Sequence, residues 1–291
     1  MELMVLILLA LPLVAAYALF ALGITVIFQA SRVLNLAHGG MVILPAYLTY
    51  SFAKAGLPIL LAVLLGVLSG ALLGIVIERV FVRVLRKESV TTQTVGTVAA
   101  FGLILAFTSK VYGTTPLHMP AIFPVGFVSV GNSSIKYGAL GLFGVMLVLA
   151  AALFALFRFT AIGLAMRGAA ENARAALLMG INPERTTQMA WAMGGALAGV
   201  AGILLGSITD LEPFTLSLQA LPAFVAVLIG GIESLPGALI GSIVVGCVIG
   251  ALPGLPYVGR IQGASQLVLT AAALVVMALR GQRLSLGDMR A

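Results

Sequence analysis

The sequence predicts an all-α, polytopic membrane protein with about nine spans or half-spans, some of them broken helices. Of its 291 residues, 61% are hydrophobic and 9% are charged, and the mean hydropathy is +1.18. A soluble domain exposes too much surface to carry so few polar groups. Repeated apolar runs of roughly 18–22 residues have the length that crosses a bilayer core. Glycine, proline and polar residues interrupt several of these runs, which is typical of helices broken within a membrane.

The predicted spans follow one another along a single transmembrane domain that covers residues 1–291. They lie at 3–28, 36–53, 57–78, 90–110, 137–157, 186–206, 217–232, 236–252 and 264–280. The first is predicted to be a span and not a cleaved signal peptide, because its only early charge is Glu2 and the apolar run continues past Phe20. The segment 217–252 is short for two full membrane crossings. It is predicted either to cross twice or to form two half-helices that meet near mid-membrane.

Lysine and arginine positions predict the orientation. Three basic groups fall on one side of this topology, which the positive-inside rule makes cytoplasmic. They are Arg79, Arg83, Arg86 and Lys87; Arg158, Arg167, Arg174 and Arg185; and Arg280, Arg283 and Arg290. The N-terminus is then periplasmic and the C-terminus cytoplasmic. The pI near 10 arises from these short loops, so no nucleic-acid partner is expected.

Two glycine ridges predict where helices pack closely. Small residues spaced by about one helical turn let two backbones approach each other. The ridges are Gly66, Gly70 and Gly74, and Gly195, Gly199 and Gly202. Ordinary helix packing is the preferred interpretation of both.

The segment 34–41 is the most informative interruption of the apolar sequence, since it contains Asn35, His38 and the pair Gly39–Gly40. Lipid cannot satisfy an amide, an imidazole or glycine-broken backbone, so such groups face protein or a water-filled cavity. We predict that this segment lines a solute pathway. Asn35 and His38 either hydrogen-bond a passing solute or hold the break together, and the sequence leaves both alternatives open.

A second interruption at 230–237 contains Gly230, Gly231 and Glu233. Exposed N–H groups at the N-terminus of a half-helix can bind a carboxylate, and glycine pairs leave that backbone uncovered. We therefore predict that 34–41 and 230–237 both line the translocation path. Glu233 needs a partner if it is embedded in the membrane. The charge pattern favours the other interpretation, a solvated turn that reaches the cytoplasm.

The loop 158–185 is too charged to lie in lipid and is predicted to hold a short helix over 168–179. Gly180 is a natural C-terminal stop, and Asn182 is suited to cap a following helix that begins at Pro183. Small residues would allow this helix to dock in a groove of a cytoplasmic partner, although a plain amphipathic connector is the alternative. The residues assigned to docking are Glu171, Arg174, Ala175, Ala176 and Gly180.

The loop 111–136 is predicted to lie on the periplasmic side. It contains Pro116, Pro120 and Pro124. It either contacts a periplasmic binding protein or is a plain connector.

Neither a metal site nor an enzymatic activity is expected. The single cysteine, Cys247, lies in an apolar run, and His38 and His118 are far apart in sequence. The sequence lacks the phosphate loop Gly-x-x-x-x-Gly-Lys-Ser/Thr and the hydrolase motifs Gly-x-Ser-x-Gly and His-Glu-x-x-His. A secondary transporter would need intramembrane carboxylates or an inverted repeat, and Glu233 is the one mid-span candidate.

Three blocks of sequence resemble permease subunits of the bacterial branched-chain amino acid ABC importers, the LivH type. They are 33–47 (VLNLAHGGMVILPAY), 167–181 (RGAAENARAALLMGI) and 223–246 (AFVAVLIGGIESLPGALIGSIVVG). Their order and separation are similar to those of the family, and the resemblance extends over nearly the whole chain. Related coupling loops read Glu-Ala-Ala-x-x-x-Gly, whereas Arg174 stands here where that Glu would be.

The resemblance implies a multi-pass protein of the bacterial inner membrane that imports branched-chain or other hydrophobic amino acids by ATP-driven alternating access. It implies a second, related permease subunit, two cytoplasmic ATP-binding subunits that hold ATP and Mg, and a periplasmic solute-binding protein. Membrane lipid is the remaining partner, and no cofactor is expected in this chain. Permeases of this type also move urea, short amides and small carboxylates, so the substrate stays open.

Overall fold

The structure is a computed structural model that describes residues 2–130, 133–252, 264, 267–276 and 278. Its helices are α1 (Glu2–Ser31), α2 (His38–Lys54), α3 (Ile59–Ile77), α4 (Val90–Tyr112), α5 (Tyr137–Phe159), α6 (Ala161–Glu171), α7 (Ala173–Leu178), α8 (Pro183–Gly206), α9 (Pro213–Leu218), α10 (Ala220–Gly230), α11 (Leu235–Ala251) and α12 (Leu267–Val276). A π-helical turn, Glu78–Val82, extends α3. Strands β1 (Phe127–Val130) and β2 (Ser133–Lys136) form an antiparallel hairpin.

Six helices in the described part of the chain are long and apolar enough to cross a membrane. They are Ala10–Ser31, Ile59–Val82, Val90–Tyr112, Tyr137–Phe159, Pro183–Gly206 and Pro213–Gly230. The helices α11 and α12 are apolar but shorter, and α2 has 17 residues. The chain is therefore a multi-pass membrane protein, as its composition predicts. The segment predicted at 217–232 is the second part of a longer crossing, because α9 and α10 follow each other from 213 to 230.

Basic residues gather at one end of the helix bundle, which we call the basic end. Arg86 donates a hydrogen bond to Glu184 (2.8 Å) at the start of α8, and Arg32 pairs with Glu233 just before α11. A cavity at this end is lined by Arg158 and Arg167. The first and second predicted basic groups thus lie at the same end, and the third group, 280–290, lies outside the described residues.

The opposite end of the bundle holds the β-hairpin and the long loop after α4. Leu117 and Leu211 exchange backbone hydrogen bonds of 3.0 and 2.8 Å, which tie this loop to the connection between α8 and α9. Tyr47 near the end of α2 donates to the Leu211 carbonyl (2.9 Å). Next to this clip, His118 Nδ1 lies 2.6 Å from Asp210 Oδ1, and both side chains are exposed.

The helices α1 and α8 form the centre of the bundle. Inside the structure, 78% of the apolar stretch of α1 and 72% of that of α8 are buried, against 22% for α3 and α4. The exposed faces of α3 and α4 carry large apolar side chains such as Leu64, Leu68 and Leu103. Apolar surface of this extent is covered by lipid or by other subunits in a membrane protein.

The two glycine ridges pack against each other, so the predicted close approach of helices is confirmed. A Cβ atom on Gly70 would overlap the carbonyl oxygen of Gly195, and one on Gly195 would overlap that of Gly70. Gly74 lies equally close to the Trp191 carbonyl. Because no side chain fits between these backbones, α3 and α8 behave as one packed pair.

Candidate functional site at two broken helices

The chain turns back into the bundle after α1 ends at the basic end. Arg32 has a positive φ of 57°, which reverses the chain direction directly after Ser31. The following residues carry no regular structure until α2 begins at His38. His38 packs against Gly23, about two turns before the end of α1. The helix α2 therefore begins inside the protein and not at its basic end.

The N-terminus of α2 is buried and has no side-chain cap. The capping position is Ala37, whose side chain cannot accept a hydrogen bond. The N–H groups of His38, Gly39 and Gly40 have no acceptor within the helix, as in any first turn. All three residues are buried. This turn therefore offers N–H donors and the positive end of a helix dipole deep in the bundle, which is an arrangement that binds carboxylates.

The side chain of Asn35 holds the chain in the shape that precedes this turn. Its Oδ1 accepts the N–H of Ala37 (3.0 Å), and its Nδ2 contacts the Met41 sulfur (3.0 Å). The N–H of Leu36 donates to Thr97 Oγ1 of α4 (3.0 Å). Of the two alternatives for Asn35, the structure therefore shows contacts that stabilise the break.

His38 is fully buried between α1 and α8. Its ring lies edge-to-face with Phe20, with the ring centroids 6.4 Å apart. The imidazole interacts with the backbone of Phe20, although neither ring nitrogen forms a hydrogen bond of normal geometry with the described residues. The ring is therefore held against α1, next to the first turn of α2.

A second break lies against the first. The helix α9 ends at Leu218 and α10 begins at Ala220, within one membrane crossing, and the break is a single residue, Gln219, that keeps helical backbone angles (φ −63°, ψ −14°). A Cβ atom on Gly39 would lie 2.9 Å from the Ser217 carbonyl oxygen. Gln219 at the junction accepts a hydrogen bond from the Tyr17 hydroxyl (3.1 Å). The first turn of α2 therefore meets the junction of α9 and α10 in the interior of the bundle.

The other predicted break, 230–237, lies elsewhere, at the basic end. Gly231 has a positive φ of 99° where α10 ends, and Gly230 is in backbone contact with Gly237 at the start of α11. The Glu233 side chain is 61% exposed and pairs with Arg32. An exposed Glu233 in a turn agrees with the prediction that this residue is solvated and not embedded in the membrane. The structure thus brings 34–41 together with 217–220 and not with 230–237.

Sequence reasoning missed Thr97, Ser217, Gln219 and Tyr17 as neighbours of the first break. A signal for two of them was present. Ser217 and Gln219 are polar residues inside an apolar run that is flanked by Pro213 and Pro222. That pattern is typical of a helix interrupted within a membrane, but it does not indicate which other segment lies next to it.

The segment assigned to partner docking lies at the basic end and contains a break. The prediction of one short helix over 168–179 is wrong: residues 168–171 are the last turn of α6, which begins at Ala161, and α7 follows from Ala173. The two are separate because Asn172 is extended (φ −147°) and its Oδ1 caps α7 through the Ala175 N–H (3.0 Å). Gly180 has a φ of 78°, as expected for a C-terminal stop.

The surface of α7 is mostly accessible. Glu171, Arg174, Ala175 and Gly180 are exposed, and Ala176 is buried against the protein. The apolar side chains of Leu178 and Met179 are 90% and 80% exposed. An exposed apolar patch on a charged loop is typical of a protein contact site.

A second polar cluster fixes the basic end of α3. The Glu78 carboxylate is fully buried and accepts hydrogen bonds from Arg83 Nε (3.0 Å) and Nη2 (2.8 Å). This hydrogen bonding raises the pKa of Arg83 above its ordinary value. Within the described residues, no three His, Cys, Asp or Glu side chains lie close enough to hold a metal ion together.

Comparisons with known proteins agree on one family. Residues 6–279 match the family described as branched-chain amino acid transport system, permease component. The chain is 28% identical over 246 residues to the high-affinity branched-chain amino acid transport system permease protein LivH of Escherichia coli K12, covering 80% of each chain. It is 30% identical over 240 residues to the probable branched-chain amino acid transport permease protein LivH of Methanocaldococcus jannaschii, covering 78% of this chain and 74% of that one.

A solved structure shares the fold. PsaBC from Streptococcus pneumoniae in complex with Fab superimposes with a TM-score of 0.50 and covers 92% of this chain and 89% of that chain. The sequence identity is 12%, so the likeness concerns the arrangement of helices alone.

Proposed function

Because this chain belongs to the family of permease components of branched-chain amino acid transport systems, we propose that it is the transmembrane permease subunit of a binding-protein-dependent ABC importer. It resides in a bacterial inner membrane and moves branched-chain or other hydrophobic amino acids into the cytoplasm. ATP and Mg are bound by partner subunits, and ATP hydrolysis there drives alternating access.

The meeting of the two broken helices is the observation that carries this proposal. The substrate carboxylate is bound by the uncapped N–H groups of the first turn of α2, at Gly39 and Gly40, with the His38 ring beside them. The Ser217 carbonyl oxygen lies against the same turn; it accepts one backbone N–H at the end of α9 and has a second lone pair for the substrate ammonium. A zwitterion therefore finds donors and acceptors within one buried junction.

In this structure the junction is packed closed, since Gly39 and Ser217 touch and the first turn of α2 is buried. Transport requires the two breaks to separate. The helix α8 connects them to the docking segment, because Asn182 caps its start (2.9 Å to the Glu184 N–H) and Gly194 packs beside Gly23 near the His38 ring. A rigid helix of 24 residues carries a displacement over about 36 Å.

The exposed surfaces support assignments for the remaining partners. One of the two ATP-binding subunits docks on Glu171, Arg174, Ala175, Ala176 and Gly180 at the basic end, which is cytoplasmic, and the other docks on the second permease. A second, related permease covers part of the exposed apolar faces of α3 and α4, and membrane lipid covers the rest. The periplasmic solute-binding protein contacts the loop 111–136. Gly230, Gly231 and Glu233 line the cytoplasmic mouth of the path.

The substitution His38→Ala tests the site. We expect it to impair uptake without loss of the assembled complex, because the imidazole lies beside the proposed carboxylate site at the first turn of α2. Uptake of labelled leucine into proteoliposomes is the measurement, with complex assembly followed by co-purification. Normal uptake by the variant would show that His38 does not contribute to the translocation pathway.

ATPase activity of the reconstituted complex tests the class and the cargo. The chain is co-expressed with its ATP-binding and second permease subunits, and the activity is compared with and without loaded binding protein. Stimulation by binding protein carrying leucine, isoleucine or valine is expected. Stimulation only by urea, a short amide or a small carboxylate would support the importer class and change the assigned substrate. Failure of any ATPase to associate would favour a secondary transporter.

A further inference from the structure

A polar cavity at the basic end is separate from the junction of broken helices. Its volume is about 290 Å³, and it lies where the ends of α1 and α5, the middle of α6 and the turn before α11 come together. Gln29 and Phe157 form its inner side, and Arg158, Arg167 and Ser234 lie around its polar part. It opens beside Phe154 on the outer face of α5, whose side chain is 44% exposed.

The cavity carries uncompensated positive charge. Neither Arg158 nor Arg167 forms an ion pair or a hydrogen bond with the described residues, although the Arg158 guanidinium lies over the Phe159 ring. Glu233 also lines the cavity, but its carboxylate is paired with Arg32, which lies outside it. Two free guanidinium groups beside one cavity form the donor set that binds a phosphate group bidentately.

Gln29 ties the inner side of the cavity to the turn before α11. Its Nε2 donates to the Glu233 carbonyl, and its Oε1 is enclosed by protein, out of reach of a ligand in the cavity. The ligand that this cavity selects is therefore defined by the two arginines, which favour a phosphate group.

The position of the cavity indicates the source of such a ligand. Arg158 lies at the end of the apolar crossing of α5, which is the depth of lipid headgroups. Leading away from the cavity, the face of α5 that carries Phe154 also exposes Leu147, a surface suited to acyl chains. Basic pockets between transmembrane helices at this depth are suited to anionic lipid headgroups.

We propose that this cavity binds the glycerophosphate headgroup of an anionic membrane lipid such as phosphatidylglycerol. The phosphate lies between Arg158 and Arg167, and the acyl chains follow α5. The site is independent of the transport cargo. Bound lipid would fix α5 and α6 to the ends of α1 and α11, next to the segment on which an ATP-binding subunit is proposed to dock.

Native mass spectrometry of the full chain with added lipid tests the proposal. The double variant Arg158→Gln/Arg167→Gln should bind phosphatidylglycerol roughly tenfold or more weakly than the unsubstituted chain, because two charge-assisted contacts are lost. The control is Arg185→Gln, an exposed arginine at the same end that does not line the cavity, and it should bind normally. Arg158→Lys/Arg167→Lys keeps the charge but loses the bidentate geometry, and it should bind more weakly than the unsubstituted chain and more tightly than the double Gln variant. Emission of Trp191, the single tryptophan, reports whether each variant is folded.

The results separate the lipid from other ligands. Binding of phosphatidylglycerol in preference to phosphatidylcholine, with loss in the double Gln variant alone, supports the proposal. Equal binding of both lipids, or equal loss in Arg185→Gln, overturns it. Free glycerol phosphate is added as a competitor. Arginine-dependent binding of glycerol phosphate alone, with displacement of the lipid, would assign the cavity to a soluble phosphate compound and overturn the lipid assignment. If the double variant does not fold, the two single Gln variants are measured in the same way.

Discussion

Gly39→Ala is the substitution that most directly perturbs the contact between the two broken helices. The added methyl carbon would lie 2.9 Å from the Ser217 carbonyl oxygen and 3.2 Å from Phe101 Cε2. The obstacle at Ser217 is backbone at the junction of α9 and α10, so it cannot rotate away as a side chain would. The neighbouring residue provides a matched control, because the three atoms nearest to a methyl group on Gly40 belong to the Ile104 side chain, at 3.0–3.3 Å.

The expected cost follows from these distances. A carbon and a carbonyl oxygen separate to about 3.3–3.6 Å even in close contacts, so the Ser217 backbone must move by about 0.5 Å. Forcing an extra methyl group into packed protein costs typically ~1–3 kcal/mol, and alanine recovers part of this through its helix propensity. We expect Gly39→Ala to lower the free energy of unfolding by ~1–2 kcal/mol, a factor of roughly 5–30 in the equilibrium. Gly40→Ala should cost less, ~1 kcal/mol or under, since a shift of Ile104 by a few tenths of an ångström relieves its contacts.

Unfolding in mixed detergent micelles, followed by Trp191 emission, measures the stability of both variants. Uptake of labelled leucine by the reconstituted complex measures transport, which should fall several-fold in Gly39→Ala and remain near the unsubstituted level in Gly40→Ala. Two results would refute the reasoning. One is unchanged stability and uptake in Gly39→Ala, and the other is a larger effect of Gly40→Ala than of Gly39→Ala.

Three further predictions concern the basic end and the helix packing. Replacing the buried Glu78 by Ala should lower the free energy of unfolding by ~1.5–3 kcal/mol, because its charge-assisted hydrogen bonds are lost. Replacing the exposed Glu88 by Ala should change the free energy of unfolding by less than ~0.5 kcal/mol. Equal effects of the two substitutions on unfolding in micelles would contradict this prediction. Gly74→Ala should destabilise the protein by ~1–3 kcal/mol, because the added methyl group overlaps backbone of α8. Gly144→Ala, whose methyl group meets open space, should stabilise it by up to ~1 kcal/mol. The unfolding midpoint in micelles should therefore fall for the first variant and rise for the second, and shifts of the same sign would contradict the prediction. Asn172→Ala removes the cap of α7 at a cost of ~1 kcal/mol, and it should weaken the stimulation of ATPase activity by binding protein. Asn172→Asp keeps a capping side chain and should preserve this stimulation. Normal stimulation in the Ala variant would show that the cap does not contribute to coupling.

Much of the fold could be predicted because its signals are local. Apolar runs of sufficient length mark helices that cross a membrane whatever their neighbours are. The stop at Gly180 and the cap at Asn182 depend on backbone and side-chain chemistry within a few residues, and both occur as predicted. The glycine ridges also indicate close packing, since a helix face without side chains has few other structural uses.

The break at Asn172 shows where local reasoning was incomplete. The Ala-rich segment predicts one helix over 168–179, since alanine has the highest helix propensity. Asn172 competes with that propensity, because its side chain accepts a backbone N–H and so favours a cap over a helix interior. The residue type carried the signal, but its outcome depended on a small energy difference.

The sequence by itself determined that this chain is a multi-pass membrane protein of the permease family and that its backbone is interrupted at 34–41 and 230–237. Only the tertiary structure decided that 34–41 meets the junction at 217–220 and that 230–237 lies at the basic end beside Arg32. The physical reason is that an interruption depends on the chemistry of its own residues. Its partner depends on how α1, α2, α4 and α8 pack around it, through contacts between residues more than 150 positions apart, such as Gly39 with Ser217.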